Sequence, residues 1–271
     1  APPSSGTPAD PRRGHDRGGC AAVATWGGPT PAERWGWASP PRGGRPGDTF
    51  PVGATTVTYT ATDIHGNTST SSFTVTVDDT ETPLITGTPA DMTLVNDVGV
   101  CGAVAMWTAP TATDNCAVDT LTADAASGDT FPVGATVVTY TATDIHGNSS
   151  NAVFSITVND NENPVISGMP ADISLSNDAG LCSAVAMWTA PTASDNCQLG
   201  TLTADAASGD AFPVGTTVVT YTATDIHGNS ATAAFNIVVT DDELPVISGT
   251  PTDIALSSEP GLCSAAATWT D

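Results

Sequence analysis

The 271-residue chain contains no lysine, and all six of its arginines (Arg12, Arg13, Arg17, Arg34, Arg42, Arg45) lie within residues 1–50. Four of its 29 acids lie there too (Asp10, Asp16, Glu33, Asp48), so residues 51–271 carry the other 25 with no Lys or Arg to offset them. That absence excludes Lys and Arg salt bridges as a source of stability over most of the chain. It also speaks against binding nucleic acid or anionic membranes, which need clustered positive charge. Such a surface suits cations, a basic partner or simple solubility. No run approaches the roughly 18 apolar residues of a membrane span. No stretch carries a convincing helical period. There is no nucleophile at a strained turn and no Gly-rich phosphate loop, so the chain reads as no enzyme.

What is present is repetition. TYTATDIHGN occurs at 58–67, 139–148 and 220–229, a step of 81 residues. The same step relates Pro2, Pro83, Pro164 and Pro245, then Cys20, Cys101, Cys182 and Cys263, then Trp26, Trp107, Trp188 and Trp269. A fixed period of this kind dictates the architecture before any local reading. It gives repeats over 1–82, 83–163 and 164–244, and the start of a fourth over 245–271. The expectation is a window on a longer tandem array. Within such an array the first partners are the neighbouring repeats.

The second copy predicts all-β structure. TVVTYTATD alternates, with Val138, Tyr140 and Ala142 on one side and Val137, Thr139, Thr141 and Thr143 on the other. CGAVAMW places Cys101, Ala103, Ala105 and Trp107 on one face, and NAVFSITVND turns Phe154, Ile156 and Val158 inward. Gly87 and Pro89 break PLITGTPADMTLV, which predicts an edge strand that changes partner. DIHGN forms a turn, with Asp144 bonding its own backbone and Gly147-Asn148 free to take positive φ. About seven short strands per repeat, punctuated by turns, predict an antiparallel β-sandwich.

The cysteines repeat as well: Cys101 with Cys116, and Cys182 with Cys197. One pair per repeat at fixed spacing reads as a structural disulfide in an oxidising compartment, closing a loop worth roughly 3 kcal/mol. Cys263 predicts a mate about 15 residues further on, by the same spacing. Zinc is the weaker alternative, because CxxC spacing and a nearby His are missing.

PVISGxPADI, CxAVAMWTAPTAxDNC, SGDxFPVGxTxVTYTATDxxGN and FxIxVxD together resemble the hyalin repeat (HYR) module. The resemblance covers the whole chain except two stretches of the first copy. It implies tandem immunoglobulin-like β-sandwich domains in an extracellular or cell-surface, adhesion-related protein. It also implies a core in which Trp107 and Trp188 pack against the cystine. Family members often carry two further cysteines, at places held here by Thr88, Met169 and residues around Val153 and Ala234. Their absence predicts that a second disulfide is missing.

The first copy departs from the pattern at PRRGHDRGG (11–19) and GGPTPAERWGWASPPRGGRP (27–46), with length and flanks preserved. Arg, Gly, Pro, Trp and Ala are what a GC-rich gene yields out of frame. Paired frame errors within 11–46 explain why every arginine falls here and why Trp35 stands where a Cys is expected. They also account for a Cys20 with no mate in its own repeat. A genuinely divergent first repeat is the alternative.

Three site readings follow. Each Asp-x-His (Asp63 and His65, Asp144 and His146, Asp225 and His227) reads as a capped turn with His at its tip rather than as a catalytic pair. The junctions hold Asp78, Asp79 and Glu81, then Asp160 and Glu162, then Asp241, Asp242 and Glu243. These are hard oxygen ligands suited to Ca²⁺, with Asp114 or Asp195 from the DNC loops able to complete a shell, against the alternative of a solvated acidic linker. Asn67 and Asn148 fit the N-glycosylation pattern, which Ala231 breaks in the third copy. The functional expectation is a surface fibre, filament or adhesion stalk, with other copies as partners in a filament. The alternatives are glycan- or protein-binding adhesin modules, or spacer domains of a larger secreted protein.

Overall fold

The computed structural model describes residues 12–14, 18–27, 36–38 and 44–268. It divides into two compact units, Ala1–Asn161 and Glu162–Asp271. The first unit holds repeats 1 and 2. Repeat 1 supplies β1 (Arg12–Gly14), β2 (Ala21–Val23), β3 (Gly36–Ala38), β4 (Thr49–Pro51), β5 (Gly53–Thr62) and β6 (Thr68–Asp78). Repeat 2 supplies β7 (Leu84–Thr86), β8 (Met92–Val95), β9 (Gly102–Val104), β10 (Thr111–Thr113), β11 (Val118–Ala123), β12 (Thr130–Pro132), β13 (Gly134–Asp144) and β14 (Ser149–Asn159). The second unit contains repeat 3 as β15 (Val165–Ser167), β16 (Ile173–Ser176), β17 (Ser183–Val185), β18 (Thr192–Ser194), β19 (Leu199–Ala204), β20 (Ala211–Pro213), β21 (Gly215–Asp225) and β22 (Ser230–Thr240). Among the described residues every regular element is a strand, and none follows Thr240.

Repeat 2 is a sandwich. One layer is the four-stranded sheet β11-β13-β14-β8, and the strand pairs β12-β9 and β10-β7 make up the rest. Repeat 3 has the same order in β16 to β22 and the same two pairs. The expected partner change is present. β7 pairs antiparallel with β10, the chain breaks at Gly87 (φ +77°), and β8 then pairs parallel with β14. Pro89 cannot donate to a ladder, which fixes the break there.

The alternation read from TVVTYTATD holds. Val138, Tyr140 and Ala142 are buried, and across the ladder so are Phe154, Ile156 and Val158. Ala103 on β9 and Ala105 just beyond it close the core. Trp107 packs on Phe131 and Phe154, with ring centroids 5.9 and 5.3 Å apart, and its Nε1 donates to Tyr140 Oη at 2.8 Å. Trp26 and Trp188 make the same bond to Tyr59 and Tyr221. The indole therefore packs against phenylalanines and a tyrosine hydroxyl, not against a cystine as the family resemblance implied. A small core gains from this, because the one polar atom of the largest side chain finds a partner.

Of the divergent stretch 11–46, residues 11, 15–17, 28–35 and 39–43, including Trp35, lie outside the described residues. Of its described strands, β1 keeps the common register, with Arg12 facing Thr76 as Thr93 faces Thr157, whereas β3 does not. Gly36 faces Thr62, whereas in repeat 2 Thr120 faces the equivalent Thr143, a slip of three residues. The flanking β2 and β4 keep the common pairing: Ala22 faces Phe50 as Ala103 faces Phe131.

Candidate functional site

The repeated DIHGN turn is built on its aspartate. Asp144 is 2% exposed. Its Oδ1 accepts the backbone N–H of His146 (2.8 Å) and of Asn148 (2.9 Å), and its Oδ2 accepts Asn148 Nδ2 at 2.7 Å. Asp63 and Asp225 repeat these bonds. Burial works to raise the pKa of Asp144 and Asp225. Hydrogen bonds from the asparagine side chain and from three backbone N–H groups outweigh it and hold both carboxyls below the usual range. Gly147 alone takes positive φ (+92°); Asn148 does not, and its side chain ties the turn instead. The histidines stand exposed at the turn tips.

In the first unit this turn meets the end of repeat 1. The Asp79 side chain is fully enclosed, and its Oδ2 lies 3.0 Å from His146 Nδ1. Asn148 Nδ2 donates to the Asp79 carbonyl at 3.3 Å, and Ser150 Oγ donates to the Pro83 carbonyl. From the DNC loop, Asn115 Nδ2 donates to the Gly19 carbonyl at 3.4 Å. Cys20 is disulfide-bonded to Cys116, 96 residues away. Carboxylate oxygens of both Asp114 and Asp144 lie within 4.8 Å of one from Asp79. Linker, turn, loop and cystine thus converge on one joint between repeats 1 and 2.

The disulfide corrects the pairing expected within a repeat. Cys116 bonds Cys20 rather than Cys101, and Cys182 and Cys263 are free and exposed. The reason is geometric. Cys101 sits beside Asp97 and Asn96, at the pole where β14 ends at Asn159. Cys116 sits beside Ala117, whose carbonyl accepts Ile145 N–H, at the pole where β14 begins. A strand of that length is on the order of 35 Å, far beyond the roughly 6 Å between the Cα atoms of a cystine. The separation of 96 is one repeat plus the 15 residues between Cys101 and Cys116, so Cys20 had its mate one repeat further on.

The junction acids divide in the same way. Asp79 enters the joint. Asp78 is exposed at the end of β6, and exposed Glu81 donates its N–H to Asp79 Oδ1 at 3.2 Å. Asp160 and Glu162 are half-buried on either side of the boundary between the two units. Asp241, Asp242 and Glu243 are exposed. Asp241 accepts Glu243 N–H, Asp242 accepts Ser176 Oγ, and Glu243 accepts Gly180 N–H. At the glycosylation candidates, Asn67 is exposed, but its Nδ2 donates to Asp63 as that of Asn148 does to Asp144. A glycan on that nitrogen leaves it a single hydrogen, the one this bond requires.

Fold and joint define a class: tandem immunoglobulin-like β-sandwich modules, the first two of them fastened by a cystine and a linker carboxylate. The HYR domain model matches residues 2–77, 78–158 and 159–239, and the chain belongs to that family. It is 40% identical over 229 residues to hyalin of Lytechinus variegatus, covering 81% of this chain and 43% of that protein. It is 40% identical over 215 residues to hyalin of Strongylocentrotus purpuratus, covering 76% of this chain and 18% of that one. The chain thus spans less than half the length of the curated relatives it matches. Among solved structures, Drosophila N-cadherin EC1-3 is similar at 16% identity and a TM-score of 0.32, covering 87% of this chain and 99% of that one. Sidekick-1 immunoglobulin domains 1-4 stand at 12% and 0.32, covering 86% and 75%. HYR repeats are extracellular or cell-surface modules of the adhesion type, and the disulfides agree with an oxidising compartment. No helix among the described residues is long and apolar enough to cross a membrane.

Proposed function

We propose that this chain is a non-catalytic structural segment of an adhesion-type array, in which tandem HYR modules supply length and the joints between them carry tension. The observation that carries the reading is the Cys20–Cys116 disulfide, which ties one module to the next in parallel with the peptide linker. A module specialised for catalysis or ligand recognition gains nothing from covalent attachment to its neighbour, whereas an array under tension does. Near-identical turns in all three copies also favour a scaffold over a binding module, whose loops diverge with their ligands. A run of like modules in constant register suits a filament, because one contact repeats without closing.

Electron microscopy of the chain before and after reduction tests the proposal. Uniform elongated particles that become articulated on reduction support it. Particles equally flexible in both states overturn the fastened joint and favour independent binding modules.

A further inference from the structure

The end of repeat 3 carries an open copy of the joint. Within the second unit, Leu181, Cys182, Asp241 and Pro245 line a cavity of about 360 Å³. They stand two repeat lengths after Gly19, Cys20, Asp79 and Pro83, the residues that meet repeat 2 in the first unit. There the set is covered. Asn115 reaches Gly19, Cys116 bonds Cys20, His146 and Asn148 engage Asp79, and Ser150 reaches Pro83. Pro83 is buried and the Asp79 side chain is enclosed, whereas Cys182, Asp241 and Pro245 are all exposed.

The open copy already holds the shape of the filled one. Asp241 Oδ1 accepts Glu243 N–H at 3.1 Å, as Asp79 Oδ1 accepts Glu81 N–H at 3.2 Å. In Asp79 the other oxygen, Oδ2, meets His146; in Asp241 no described residue bonds it. Glu243 accepts Gly180 N–H at 2.9 Å and so holds the linker against the loop that carries Cys182. A site fixed in this way before it is filled loses less freedom on filling.

We propose that this socket receives the DNC loop and DIHGN turn of a following HYR module, and that Cys182 forms a disulfide with that module's DNC cysteine. Cys263 is the wrong mate by place. It holds the position of Cys101, which lies at the opposite pole of its module from Cys116. The first repeat of a second copy of this chain is also a poorer occupant, because Trp35 stands there in place of the DNC cysteine. Forming the bond needs an oxidant, and a small-molecule disulfide such as oxidised glutathione serves. The Cys182 thiolate displaces one glutathione thiol from it and the DNC thiolate displaces the other. Two cysteine thiols are thereby oxidised to one disulfide, and one glutathione disulfide is reduced to two thiols, which take up the two protons. This deepens the array reading and rests on it for the presence of a following module.

The test extends the 271-residue chain by a copy of its own residues 191–244 or, in a second version, of residues 110–163. Either copy completes a fourth repeat after residue 271 and adds one cysteine, that of the DNC loop. Each chain is folded in a glutathione redox buffer, its free thiols are alkylated, and its disulfides are mapped by mass spectrometry after cleavage at aspartate. In the unextended chain Cys182 and Cys263 should both be alkylated. In the extended chains Cys182 should lose its alkylation and appear bonded to the added cysteine, while Cys263 stays a thiol. A Cys263→Ser substitution should leave that bond intact. The proposal is overturned if, in both versions, the added cysteine pairs with Cys263 or all three remain thiols; the two grafts guard against one that fails to fold. The Cys20–Cys116 bond in the same digest keeps the two readings apart. Its presence beside a free Cys182 sinks the socket alone, whereas its absence sinks the fastened joint and the array reading with it.

Discussion

Among the described residues aspartate serves chiefly as a backbone acceptor, with Asp79, which meets His146, the exception. Asp91 accepts Ser155 N–H, Asp97 accepts Val104 N–H, Asp124 accepts Thr139 N–H and Asp129 accepts Ala126 N–H, all at 2.7–3.0 Å. Charge-assisted bonds of this kind are stronger than neutral ones, which explains how a chain with 29 acids and six bases holds its loops. The turn aspartates give the clearest consequence. Hydrogen bonds keep Asp144 and Asp225 below the normal carboxylate pKa despite burial. A depressed pKa contributes stability that is complete above the unfolded value, about 4, and is lost as pH falls through the folded value. Urea midpoints should therefore hold steady down to about pH 4 and then drop. In the Asp144→Asn, Asp225→Asn double variant that drop should shrink, at a cost near neutrality of about 1–3 kcal/mol per turn. An unchanged acid limb places the titrating groups elsewhere.

At the scale of elements, the hairpin β13–β14 was legible down to which residues face the core, because one face is buried and a strand alternates with a period of two. The switch from β7 to β8 was legible from Gly87 and Pro89, whose backbone limits act locally. Pairing that depends on distant residues was less so. The three-residue slip of β3 against β5 follows from a stretch whose own pattern carries no alternation. The joint was half legible: Asp79 and Asp114 stood out by charge, but Asn115 is an ordinary loop asparagine until its oxygen is seen to be enclosed. The turn also makes a quantitative prediction. Gly147 holds φ +92°, which an L-residue adopts at a cost of about 1–2 kcal/mol. Gly147→Ala should lower the stability of repeat 2 by that amount in a denaturant melt. Gly134→Ala, at the start of β13 where φ is +116°, should cost at least as much, since that φ lies further from the left-handed helical well. A neutral effect at both positions means the backbone relaxes away from positive φ.

At the scale of the whole molecule, connectivity decides between a string of separate beads and a fastened array. A bond closing 96 residues removes far more chain freedom than one closing a single loop, about 4–5 kcal/mol against roughly 3 in the chain-entropy model. It also changes what reduction does. Opening a bond within one repeat loosens that repeat, whereas opening Cys20–Cys116 frees one module from the next. The arginine distribution provides a direct assay. Trypsin cuts after Arg17 and Arg34, releasing a peptide 18–34 that contains Cys20, and after Arg42, leaving residues 43–271 without another good site because Pro46 follows Arg45. With free thiols alkylated and the chain denatured, the peptide should stay attached to the 43–271 fragment through Cys116 and leave on reduction. If Cys116 is instead bonded to Cys101, as the spacing within one repeat suggested, the peptide comes away before any reductant is added. The same digest of a Cys116→Ser chain should release it at once, which separates a bond to Cys116 from capture by any other thiol.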